Sequence, residues 1–279
     1  MKKITLLLSL VIFTAIGIFT SCEKTNDDGN ATFTVKAAED EAIADAYWND
    51  LDADVDFASD LMETNGFKSV TDTCPMIIVD HPDSLFYPRT ITIDYGDEYC
   101  ETWNGRLKKG KVIIHITDRM HLEGSVRTVT LEDYYINDHH IEGVKTLTNN
   151  GFNDSGNMNF DVTLEDGKIT FPDGAIITRV MNHNREWTAG IETPRYWWDN
   201  EWLITGTASG TNRDGVNFNN EITIPVLVKS VCRFPVSGTI SHTITDVGTY
   251  VLDYGDGECD NIATITFGDE TWEITLGRP

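Results

Sequence analysis

The chain has 279 residues and a formal net charge of −24, with 45 Asp and Glu against 21 Lys and Arg. That balance excludes the usual nucleic-acid binder, which needs a basic patch to neutralise phosphates. It also argues against docking on anionic lipid through charge alone. A hydrophobic fraction of 40% is ordinary for a globular protein and too high for a disordered chain.

Lys2 and Lys3 open the chain with positive charge, and Ile4 to Phe19 follows as an uncharged, mostly apolar run. The run is shorter than the roughly 20 residues a membrane-spanning helix needs and fits the apolar core of a secretory signal. It ends in Phe19-Thr20-Ser21-Cys22. Two small residues before a cysteine resemble the bacterial lipobox, although Phe19 stands where such motifs usually carry an aliphatic residue. The resemblance implies cleavage before Cys22 and a lipid on Cys22 that anchors the chain to a membrane, each buried CH₂ contributing about 0.8 kcal/mol. Residues 1–21 then read as a signal peptide. The polar, acidic stretch 22–34 reads as a flexible tether. Its Asp27 and Asp28 resemble, a little late, the surface-export signal of Bacteroidota lipoproteins.

Residues 35–66 hold one helix and its stop. Ile43, Tyr47, Leu51, Val55, Ala58 and Met62 recur at helical spacing, acids fill the other faces, and Asn65-Gly66 ends the pattern. The apolar stripe reads as a face that docks on the main body. A helix lying on a membrane would carry Lys and Arg on its polar side.

From about residue 74 the period changes to two. Val112, Ile114 and Ile116 form one alternating run; Met158, Phe160, Val162 and Leu164 form a second; Ile222, Ile224, Val226 and Val228 a third. Ala263, Ile265 and Phe267 face Trp272, Ile274 and Leu276 across residues 268–271. Asp166-Gly167, Asp173-Gly174 and Asp214-Gly215 supply turn chemistry. Residues 67–279 are therefore predicted to be mainly β: an antiparallel body of at least about ten strands, closing as a sandwich, a barrel or a curved meander.

The five cysteines are Cys22, Cys74, Cys100, Cys232 and Cys259. With Cys22 assigned to lipid, the remaining ones can pair in an oxidising compartment. An internal repeat chooses the pairing. Asp94-Tyr95-Gly96-Asp97 leads to Cys100, and Asp253-Tyr254-Gly255-Asp256 leads to Cys259. Cys74 and Cys232 precede these motif cysteines by 26 and 27 residues. The expected bonds are Cys74–Cys100 and Cys232–Cys259, each worth roughly 3 kcal/mol in the chain-entropy model.

Tyr87-Pro88-Arg89, the strand to Gly96, Lys109-Gly110-Lys111, Asp133-Tyr134-Tyr135 and Ile141-Glu142-Gly143 follow in order. Together they resemble a group of uncharacterised Bacteroidota lipoproteins with one helix before a β-rich body. The resemblance spans most of residues 35–279. It implies compartment and architecture, and no activity.

Three constellations invite a functional reading. Trp187, Tyr196, Trp197, Trp198 and Trp202, with Arg185 and Arg195 nearby, are the candidate ligand surface. Exposed aromatic faces beside polar groups hold sugars by stacking. On a strand, Trp197 and Trp198 would point to opposite faces. The Asp-rich turns, with Asp94, Asp97, Asp253, Asp256, Glu258 and Asp260, are a weak calcium candidate, because that ion wants about six to eight oxygens. The favoured reading is of side chains capping their own turns, so no cofactor is expected. Histidine spacing offers no zinc motif, and His242 reads as an inward, hydrogen-bonded histidine. Nucleophile and phosphate-loop motifs are absent. The expected function is a non-enzymatic, lipid-anchored outer-membrane or cell-surface module that binds a ligand or partner, a glycan or an envelope protein. The alternatives are a periplasm-facing structural or assembly factor and a hydrolase with a carboxylate pair.

Overall fold

A computed structural model describes residues 28–65, 74–80, 86–102, 105–193 and 196–276. Cys22 and the expected signal peptide lie outside the described residues. The helix α1 is Asp28–Asn65 and begins inside the stretch whose composition reads as tether. Thirteen strands follow: β1 (Met76–Val79), β2 (Arg89–Glu101), β3 (Leu107–Ile116), β4 (Val126–Ile136), β5 (His139–Phe152), β6 (Met158–Thr170), β7 (Ile176–Ala189), β8 (Glu201–Thr211), β9 (Asn217–Lys229), β10 (Ser237–Ile244), β11 (Gly248–Asp256), β12 (Ile262–Phe267) and β13 (Glu270–Thr275). They form one 13-stranded antiparallel sheet in strict chain order, and β1 does not pair with β13. Of the three predicted closures, the open meander is the one adopted.

Local chemistry explains the hairpins and the bends. Asn137 and Asp138, at φ +47 and +67, make a two-residue turn between β4 and β5 of the kind that suits strand twist. Asp173 accepts from the Ala175 amide in the β6–β7 turn, and Asn212 caps the β8–β9 turn. Asp166-Gly167 differs from expectation. It is no hairpin turn but a bulge inside β6, where the register shifts between Leu164 and Gly167. Similar shifts fall between Asp94 and Gly96, Lys109 and Lys111, and Glu142 and Val144. Bulges increase local twist and bend a sheet. At Gly110, φ is +84 and a Cβ would stand 2.1 Å from the Asp133 carbonyl oxygen, so only glycine allows the two strands to approach there. The third predicted run also departs from alternation. β9 carries extra residues opposite Ile204–Thr207 of β8, and Ile224 turns outward to 56% exposure.

The bent sheet curls around α1. Tyr47, Leu51, Val55 and Ala58 pack on the apolar inner face of β1–β8, while the small Ala37, Ala42 and Ala46 allow close approach of β9–β13. The side chain of Met62 lies outside the described residues. Seven of the helical acids also face the sheet, each against at least one base. Asp50 holds Arg106 and Lys108, Asp54 holds Lys108, Asp52 holds Lys145 at 2.7 Å, and Asp40 holds Arg213. Arg179 reaches Glu41 at 2.6 Å and Asp45 at 2.8 Å. Asp56 sits between Arg127 at 2.7 Å and Arg185 at 2.8 Å. The repeated Tyr-Gly motif closes the arrangement from both flanks: Tyr95 on β2 donates to Asp54 at 2.5 Å, and Tyr254 on β11 donates to Asp45 at 2.9 Å. At 100° per residue, Asp45 and Asp54 project about half a turn apart, so the two copies of the motif grip opposite sides of the helix.

Both disulfides are present, Cys74–Cys100 and Cys232–Cys259. The first ties the entry of β1 to the far end of β2. The second joins the β9–β10 and β11–β12 connections.

Burial sets the acids apart in strength. Desolvation raises the carboxyls of Asp40, Glu41, Asp45 and Asp54 above their ordinary range despite the bases beside them. For Asp56, burial pushes the same way, but Arg185 and Arg127 outweigh it and the carboxyl lies below its usual value. The raised groups contribute stability that is full below their unfolded values and lost as pH rises through their folded ones. Asp56 contributes stability that is present above its unfolded value of 3.8 and lost as pH falls through its folded one. His183 and His242, buried and lowered from 6.5 to about 3, likewise contribute stability that is present above 6.5 and lost as pH falls. The unfolding midpoint should therefore pass through a maximum and drop in acid. A midpoint that only climbs between about pH 4 and 8 contradicts this account. Among single variants, Asp56→Asn leaves two buried guanidinium groups short of a counter-charge and should cost about 3 kcal/mol in chemical denaturation. Asp45→Asn removes one of the two carboxyls on Arg179 and should cost about 1 kcal/mol.

Candidate functional site

Trp187 on β7 and Trp202 on β8 are direct cross-strand partners, and strand parity turns both toward the helix. Their rings stack at 5.0 Å and 20°, with Phe160 of β6 edge-on to Trp202 at 5.9 Å. Arg185, two residues before Trp187, shares its face. Its guanidinium lies 3.8 Å from the centre of the Trp202 ring and ion-pairs with Asp56. The Trp187 indole N–H donates to Asn200 Oδ1 at 3.2 Å.

These groups wall two adjoining cavities between the last turns of α1 and the sheet. The first, of about 320 Å³, is lined by Asp56, Arg127, Phe160, Trp187 and Trp202 and reaches the surface at His121. The second, of about 250 Å³, shares Asp56, Arg185, Asn200 and Trp202 and extends past Lys229 to the exposed Val231. Together they have the size of a small-molecule site with aromatic walls and a few directed polar groups. Two buried donors in this wall, Arg127 Nε and Trp202 Nε1, have no hydrogen-bond partner among the described residues. Asp56 is held ionised by its two arginines, so it serves as a fixed negative charge rather than a proton donor.

The candidate aromatics thus fall into two sets. Trp187 and Trp202 line the cavity. Tyr196 and Trp198 are each 50% exposed on the β7–β8 connection, with ring centres 4.9 Å apart. Trp197 begins a 3-10 turn, Trp197–Asp199, and its side chain lies outside the described residues. Because Trp197 and Trp198 belong to that turn, the expectation that strand parity splits them does not apply. Arg195 is outside the described residues. Asp56, Arg127 and Asn200 complete the site and are not marked by local spacing, while the alternation that includes Phe160 marks it only as inward-facing. They come from α1, β4, β6 and the residue before β8, and nothing in their spacing points to one another.

The Asp-rich turns cap themselves. Asp94 accepts from the Gly96 amide at 2.9 Å, Asp253 from Gly255 at 2.8 Å, and Asp260 from Ile262 at 3.0 Å. The expected turns are in fact strand segments: Asp94 and Asp97 flank the bulge at Gly96 inside β2, and Asp253 and Asp256 lie in the last residues of β11. Among the described residues, no group of three or more His, Cys, Asp or Glu is placed to hold a metal ion. No described helix is long and apolar enough to cross a membrane.

Compared with protein-family models, with curated proteins and with solved structures, the chain matches none.

His242 corrects one expectation. It is inward, at 2% exposure between Phe218 and Tyr250, yet neither ring nitrogen has a hydrogen-bond partner among the described residues. Burial, with Arg179 nearby, lowers it to about 3, so the ring is neutral at ordinary pH. A buried polar group without a partner is a cost that an apolar ring of similar shape removes. His242→Phe should raise stability by about 1 kcal/mol in a urea melt. A loss of that size would mean that the imidazole is hydrogen-bonded in solution.

Proposed function

We propose that the chain is a lipid-anchored cell-envelope protein whose β body is a non-enzymatic binding module for a small extracellular ligand, of the sugar class. The N-terminal pattern supports the anchor: a charged start, an apolar run, and two small residues before Cys22. Two disulfides suit an oxidising compartment. The observation that carries the binding reading is the cavity of about 320 Å³ walled by the stacked Trp187 and Trp202. A rigid sheet presenting aromatic rings next to amide and guanidinium donors accommodates an apolar sugar face and its hydroxyls together.

The assembly-factor reading calls for an open apolar groove on the curved sheet, and here the concave face is occupied by α1. The hydrolase reading calls for a carboxyl that can give up a proton, and Asp56 is fixed in its charged form. Both observations favour the binding module.

Two measurements test the proposal. Protease shaving of intact cells, beside lysed cells, should remove the protein from intact cells. Protection until lysis would move it to the periplasmic leaflet. A glycan panel read by thermal shift on the full chain should give at least one stabilising sugar, and Trp187→Ala should abolish that shift. Silence across the panel, or a shift that Trp187→Ala leaves untouched, would reject the cavity as the site.

A further inference from the structure

The connection between β7 and β8 stands against the cavity and carries an aromatic pair at its tip. Its two feet, Ile191 and Asn200, line the cavity of about 320 Å³. Gly190 lies so close to Asn200, at φ +94, that a Cβ has no room there, and the feet are pinched together. Between them the backbone is tied in successive turns. The Thr193 amide donates to Gly190 at 3.0 Å, Tyr196 to Thr193 at 2.7 Å and Asp199 to Tyr196 at 3.2 Å. Thr193 Oγ1 also donates to Asp199 at 2.5 Å. The tip is thus held in shape before any ligand arrives, which lowers the ordering cost of binding. Tyr196 and Trp198 project from it, each half-exposed, with ring centres 4.9 Å apart and planes tilted by 47°. Trp198 is two residues from Asn200, so their Cα atoms are within about 7 Å of each other.

The chemistry of the tip selects what covers it. Its two rings are set among exposed carboxylates, Glu192 and Asp199, and no large aliphatic side chain is exposed beside them among the described residues. The core of a protein interface is depleted in such charges, and a net charge of −24 works against a second copy. Rings edged by oxygens suit a ligand with apolar faces and hydroxyl edges. The cavity lies at the small end of the roughly 300–1,000 Å³ range of ligand sites, so a longer ligand must continue outside, onto the tip. The helix sets the direction. Lys36 pairs with Asp214 in the β8–β9 turn at one end of the sheet, and Asp56 pairs with Arg127 near the start of β4 at the other, where the β7–β8 tip also lies. The 38 residues of α1, at about 1.5 Å each, span roughly 57 Å. Cys22, the proposed lipid site, comes six residues before its first residue. The tip is therefore at the end remote from the anchor, open to an extended ligand.

We infer that the ligand is an oligosaccharide chain, one residue of which enters the Trp187–Trp202 cavity while the next residues lie on Tyr196 and Trp198. The tilt between the two exposed rings suits sugar rings turned relative to one another along a chain. This rests on the binding reading above and extends its ligand from a single sugar to a chain.

Calorimetric titration of the full chain in detergent tests it, with cellotetraose, mannotetraose and galactotetraose as probes against glucose, mannose and galactose. At least one tetrasaccharide should bind about tenfold or more tightly than its monosaccharide. Tyr196→Ala and Trp198→Ala should each remove most of that gain, and Trp187→Ala should remove the binding of both sugars. The two tip variants alter half-exposed side chains and decide the matter if Trp187→Ala does not fold. A monosaccharide that binds as tightly as its tetrasaccharide, or a gain that both tip variants leave intact, would overturn the chain assignment and keep the cavity as a one-sugar site. Tetrasaccharide binding that Trp198→Ala removes and a folded Trp187→Ala retains would overturn the cavity's part in it. A dimer that Trp198→Ala dissolves, with no heat from any tetrasaccharide, would give the tip to a second copy. No heat with any of the sugars would overturn both this inference and the binding reading.

Discussion

The interaction on which the rest depends is the neutralisation of buried bases on the sheet by acids on α1. Arg106, Lys108, Arg127, Lys145 and Arg179 are nearly sealed from solvent on the concave face. A charge in that position without a partner costs several kcal/mol. The helix supplies the partners on nearly every turn from Asp40 to Asp56. Hydrophobic contact alone would let a helix rotate or slide in a curved sheet. A series of ion pairs with fixed spacing selects one rotation and one depth, and thereby sets where the last turns of α1 stop and where the cavities begin.

The same pairing explains the composition. A chain with net charge −24 pays for compactness in self-repulsion, yet its interior is close to neutral. The acids that α1 contributes are cancelled by the sheet, so the unbalanced negative charge resides on the outer surface.

Much of the architecture was legible from periodicity. Tyr47, Leu51 and Val55 announced the helix, and Met158, Phe160 and Val162 announced an inward strand face, because local spacing decides which side chains share a side. The Asp-Tyr-Gly-Asp repeat disclosed both disulfides. What spacing left open was closure, since sandwich, barrel and meander alternate in the same way; the bulges that choose among them depend on contacts such as Gly110 against Asp133. The acids of α1 were legible as a pattern but not as a core, because their bases lie between about 50 and 170 positions further along the chain. The site was half visible for the same reason. Trp187 and Trp202 were in view, but Asp56 and Arg127 reach them only through the curl of the sheet, and Trp198 belongs to a turn rather than to a strand.

The strict chain order of the strands carries a kinetic consequence. Each strand pairs with its neighbour in sequence, so loop closure between strands is short-range and hairpins can add one at a time. The helix is the exception: its partners run from Tyr95 on β2 to Tyr254 on β11. The helix, which precedes every strand in the chain, is thus the last element to be fully enclosed. Its dense acids keep it in water during that wait, where an apolar helix of the same length would find other chains to join.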